Sequence, residues 1–161
     1  MDVGRIREVA EETFLTHMPT TTAPGLFDLL HAAGSVESFV EARLSAIGLS
    51  LPKLAALNRL VVAGDSLPLG QLAERLACVK SNVTQLVDRL EADGLVSRAP
   101  DPNDRRSRLA VITPAGRSAY EQGSRIQRDA ERELFGALSE SESAALAEII
   151  GKLERRPPSR P

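Results

Sequence analysis

The chain has 161 residues, 42% of them hydrophobic and 26% charged, enough for one buried core or for a small domain with helical extensions. Aromatic residues make up 3%, with no Trp and a single Tyr, so Leu, Ala, Val and Ile must fill that core, a palette that favours helices over a β-sandwich. Twenty basic against twenty-two acidic side chains give a net charge of −2, so the whole-chain field advertises no polyanionic partner.

A single cysteine, Cys78, excludes an internal disulfide framework and suits a reducing, cytoplasmic setting. With only His17 and His31 beside it, no self-contained Cys/His metal site is expected. The opening residues lack the apolar stretch of a signal peptide, and the apolar segment Leu54 to Ala63 is broken by Asn58 and Arg59, so no membrane partner is expected.

In chain order, Val3, Ile6, Val9 and Phe14 predict a short amphipathic helix over 3–18, broken by the run from Pro19 to Pro24. From Leu26 the helical spacing returns through Leu29, Leu30, Ala33, Phe39, Leu44 and Ile47, ending near Gly48. Ser50 reads as an N-cap, with Pro52 in the first turn of a helix through Val62. A short extended link at Ser66–Pro68 precedes two compact helices, 69–77 and 80–92, separated by a tight turn around Cys78. Strands follow at 95–98 and 108–112, joined by a polar turn with Pro100 and Pro102. Thr113-Pro114 starts a helix reaching about Leu138, and Ser139 with Glu142 forms a capping box for a last helix over 140–154. The fold class is therefore mainly α with a small two-stranded β wing, in the order of a winged helix-turn-helix.

The run from Leu69 to Arg98 resembles the reading head of the MarR family of transcriptional regulators. Asp101-Pro102-Asn103-Asp104-Arg105-Arg106 and Thr113-Pro114-Ala115-Gly116-Arg117 look like that family's wing and exit helix, and the likeness spans roughly 25 to 154. A bare helix-turn-helix pattern is weakly specific; its combination with these two motifs at the right spacing is strong. The resemblance implies a homodimer, with N- and C-terminal helices of two chains interlocking, and a duplex-DNA partner carrying a pseudo-palindromic operator. It also implies an effector pocket between the dimer helices and the winged domain, often for phenolic or other lipophilic anions. Residues 1–20 form an extra N-terminal helix in this division, 21–48 and 114–161 the dimerisation helices, and 49–113 the DNA-binding domain.

The residues support that role on their own chemistry. With Val83, Leu86 and Leu90 as the buried stripe of helix 80–92, Ser81, Asn82, Thr84 and Gln85 fall on the outer side. Such short amide and hydroxyl groups read base edges in a major groove, while Lys80 and Arg89 are placed to touch phosphates. The bland alternative is an ordinary polar helix face. At the hairpin, Arg105 and Arg106 can meet the negative potential of a narrow minor groove. The family's Asp-x-Arg pair would correspond to Asp104 and Arg106; the alternative is a solvated turn. From Leu69 to Arg117, eight basic residues face six acidic ones, an asymmetry of the right sign. The apolar stripes of the flanking helices exceed what a small winged helix can cover, which calls for a partner surface.

Cys78 is a redox-switch candidate, against its reading as a small buried filler. Phe27, His31, Phe39, Arg43 and Leu57 are candidate effector-lining residues, with core packing the competing account for the apolar ones. The effector itself has no signature. No phosphate-binding loop, nucleophile elbow or catalytic dyad is present, so neither catalysis nor a cofactor is expected. The rival from another class is a winged-helix protein-interaction module without DNA binding. Arg106→Ala is expected to weaken operator binding while leaving dimerisation and thermal stability nearly unchanged; near wild-type operator affinity in that variant removes the wing from the mechanism.

Overall fold

In the computed structural model, which describes residues 25–77, 80–104 and 107–155, helices dominate and a small antiparallel sheet closes the middle third. The helix expected at 3–18 lies outside the described residues. The chain divides into two units, 1–35 and 36–161. Helix α1, Leu26–Ser45, begins in the first unit and continues into the second. It stops at a turn where Gly48 takes φ +74, a left-handed value that glycine adopts at little cost.

Helix α2, Leu51–Val62, starts as the residues demand. The Ser50 hydroxyl accepts the Lys53 N–H, and the Leu51 N–H is taken up by the Glu41 carboxylate at 2.8 Å. Both donors belong to the first turn, which has no intrahelical partner of its own. After α2 the chain turns through Gly64 and Asp65, the latter at φ +81. Asp65 is held there on three sides: its N–H donates to Leu60, its carbonyl accepts from Ile112, and its carboxylate pairs with Arg117.

The expected two-stranded ribbon, β2 at Val96–Pro100 and β3 at Arg108–Ile112, is joined by a third strand, β1 at Ser66–Pro68. The order is β1-β3-β2, antiparallel throughout, with Leu67 opposite Ala110 and Arg98 opposite the same Ala110. Three residues ending in proline read as a link because the apolar alternation is too short to register. They pair because the proline lies on an edge strand, where a missing N–H is tolerated. Helices α3, Leu69–Arg75, and α4, Lys80–Ala92, stand between β1 and β2 in sequence.

The core of the second unit collects Leu44, Leu54, Leu57, Leu60, Leu72 and Leu90, with Val83, Val87, Val96 and Ala110. It contains no buried polar or charged side chain among the described residues. Helix α5, Pro114–Phe135, ends at Gly136, earlier than the spacing to Leu138 suggests. Helix α6, Glu140–Glu154, carries the complete capping box: Ser139 accepts from the Glu142 N–H, and Glu142 accepts from the Ser139 N–H at 2.8 Å. That backbone bond, with the Ser139 hydroxyl, holds the Glu142 carboxyl below its usual range.

Two glycines let α5 pack closely. At Gly123 a Cβ would meet Leu54 and Leu49 side-chain carbons at 2.7 and 2.9 Å. At Gly116 a Cβ would stand 1.9 Å from the Leu95 carbonyl oxygen, a backbone atom that cannot rotate away. Gly116→Ala is expected to cost about 3 kcal/mol, the upper end of overpacking. Gly70→Ala, in a helix with open space around the site, is expected to stabilise by up to about 1 kcal/mol. Urea unfolding of both variants checks this, and equal effects would contradict the packing described.

Candidate nucleic-acid interface

Helix α4 buries Val83, Val87 and Leu90 at 1%, 0% and 0% exposure. Leu86, expected in that stripe, is only half-buried. Positions 83, 87 and 90 follow the i, i+4, i+7 line of one helical face, and 86 lies to its flank. Val87 takes the place in the core. This correction leaves the outer face as expected: Ser81, Asn82, Thr84, Gln85 and Arg89 are all exposed. Lys80 opens the helix.

What sequence reasoning missed is how α4 is oriented. Arg98 of β2 reaches across to the helix, with one guanidinium nitrogen 2.5 Å from Asp88 and the other 3.0 Å from Glu91. The first nitrogen also lies 3.5 Å from the Thr84 carbonyl oxygen. The strand alternation explains the direction: Val96 and Arg98 point to the same side of the sheet, and the residue across from Arg98 is the small Ala110. The signal in the sequence is charge complementarity at separations of ten and seven residues, which only the turn at Gly94 makes local. The C-terminal end of α4 is held as well, since Asp93 pairs with Lys53 of α2 at 2.6 Å.

The turn after α4 is tied to the start of α5. The Thr113 hydroxyl donates to the Gly94 carbonyl at 2.8 Å and accepts from Gly116 N–H at 2.9 Å, while the Thr113 N–H donates to Leu95 at 3.1 Å. Gly94 itself is left-handed at φ +71. Helix, wing and exit helix thus meet within one hydrogen-bonded knot.

The Asp101 carboxylate accepts the Asn103 N–H at 2.9 Å, and the Asp104 carbonyl accepts from Ser107 N–H at 2.9 Å. Asp104 is exposed beside the tip. Arg105, Arg106 and Cys78 lie outside the described residues. A shallow groove of about 400 Å³ runs along α4, lined by Pro52, Asn82, Val83, Gln85, Leu86 and Arg89.

The effector-lining candidates are distributed over both units. Leu57 is fully buried core. Arg43 lies 3.5 Å over the Phe39 ring and pairs with Glu133 at 2.7 Å. Phe27 and His31 belong to the other unit. No cluster of three metal-ligating side chains occurs among the described residues, and no described helix is long and apolar enough to cross a membrane.

A helix pair with a three-stranded wing, set between longer helices, defines the winged helix-turn-helix class. The MarR family model matches residues 49–107. The multiple antibiotic resistance protein MarR of Salmonella typhimurium is 31% identical over 111 residues, covering 68% of this chain and 76% of that protein. BadR of Rhodopseudomonas palustris, named a transcriptional activatory protein, is 44% identical over 68 residues, and that match spans only 38% of BadR. Among solved structures, a mutant of MarR from E. coli complexed with operator DNA superposes with a TM-score of 0.73 at 26% identity, covering 80% of this chain and 92% of that one. The chain belongs to the MarR family of transcriptional regulators.

Arg98→Ala is expected to lower stability by about 1 kcal/mol, since its partners are half-exposed and such pairs contribute modestly. Arg98→Lys should not restore it, because one ammonium cannot span both carboxylates. A double-mutant cycle with Asp88→Asn measures the coupling, and strict additivity would show that no clamp exists.

Proposed function

We propose that this protein is a homodimeric repressor that binds a pseudo-palindromic duplex operator and is released by a small effector. The observation that carries the reading is the row of exposed amides and hydroxyls, Ser81, Asn82, Thr84 and Gln85, on a helix clamped to a wing. Those four read or buttress bases, Lys80 and Arg89 contact phosphates, and Asp104 orients Arg106 for the minor groove, with Arg105 beside it. The MarR relative solved with operator DNA supports the same partner.

Dimerisation is supported by apolar surface left without cover. Helix α6 buries none of its side chains, and Ile149, Ile150 and Leu153 are exposed at 52%, 46% and 46%. In the first unit, Leu26 and Phe27 are exposed at 67% and 81%. Surfaces of this kind are rarely left to water. Residues 21–48 and 114–161 carry the dimer in this reading, and 49–113 read the DNA. The effector class is a small lipophilic or phenolic anion that changes the spacing of the two reading heads, which is how differential affinity becomes release.

Selection of bound duplexes by the purified protein at about 100–150 mM salt, followed by a salt titration, tests the reading. A recovered pseudo-palindrome with affinity falling steeply as salt rises is expected, because each neutralised phosphate releases a counterion. No duplex binding even at low salt would overturn it in favour of a protein-interaction module. Transcription from a template carrying the recovered site then reads the sign of the output.

A further inference from the structure

The reading face of α4 is not uniformly polar. Leu86 is half-buried, packed in part against the core, and lines the groove together with exposed Pro52 of α2. Asn82, Gln85 and Arg89 line the same groove. Val83, at 1% exposure, lines it too. An apolar spot, Leu86 with Pro52, therefore shares one groove with two amides.

Base chemistry limits what can fill it. Among the groups on the major-groove edge, only thymine projects a methyl, on its C5. An exocyclic amine or a carbonyl oxygen pressed against Leu86 and Pro52 would lose its water and gain no hydrogen bond, a net cost. The amides in the groove match the N6 and N7 edge of adenine. An A·T pair therefore presents both groups at once, adenine to an amide and its thymine methyl to the apolar spot. A G·C pair has no methyl to offer, and its purine edge carries two acceptors in place of adenine's donor and acceptor.

We infer that Leu86, backed by Pro52, is a specificity-determining residue that receives a thymine methyl, so that each operator half-site carries an A·T pair at that position. This rests on the DNA-binding reading above. The test uses the full chain and the duplex recovered by selection, with each half-site thymine replaced in turn by deoxyuridine, which deletes only the methyl. One thymine per half-site is expected to lose about three- to fourfold in affinity on replacement, and symmetric replacement about tenfold, the size of one buried methyl at each site. Leu86→Ala, checked for fold by circular dichroism, should bind thymine and uracil duplexes equally. No thymine showing a methyl dependence in wild-type protein, or a dependence that persists in Leu86→Ala, would overturn the assignment while leaving DNA binding intact. Failure of the folded protein to bind any duplex would overturn the DNA reading and this inference together.

Discussion

The contact between Gly116 and the Leu95 carbonyl sets the geometry on which the rest of the reading head depends. A helix axis can come this close to a backbone turn only where one partner lacks a Cβ. That approach brings Thr113 within reach of Gly94, so the hydroxyl that caps α5 also holds the turn leaving α4. Helix α4, the strand that follows it and α5 are tied together at this point as a result.

The electrostatics of the head follow a similar economy. A chain of net charge −2 has little general attraction for DNA, and α4 itself carries Asp88 and Glu91. Arg98 of β2 pairs with both carboxylates, so the acidic groups hold the helix to the sheet and their charge is offset locally. Lys53 does the same for Asp93. Local pairing thus separates the charges that position the helix from the exposed Arg89 and the polar row beside it.

Much of this was legible in the residues. Caps at Ser50, Thr113 and Ser139 and breaks at Gly48 and Gly94 are local chemistry, and the helices they bound appear where expected. What could not be read there depends on partners distant in sequence. Strand β1 exists because β3 accepts it, not because three residues have a pattern. Leu86 and Val87 are both apolar, and only the angle at which α4 meets the core decides which is buried. The Arg98 clamp needs the turn that folds β2 back along α4. The fit at Gly116 is invisible in a Thr-Pro-Ala-Gly-Arg string until the Leu95 carbonyl is placed beside it.

Tyr120 lies on α5, with its hydroxyl donating to Asn58 of α2 at 3.4 Å, close to the tight crossing at Gly123. It is the one tyrosine in a chain without tryptophan. Ultraviolet emission from this protein therefore originates essentially at a single seam, where α5 crosses α2. Spectroscopically, the molecule carries its own label at that crossing.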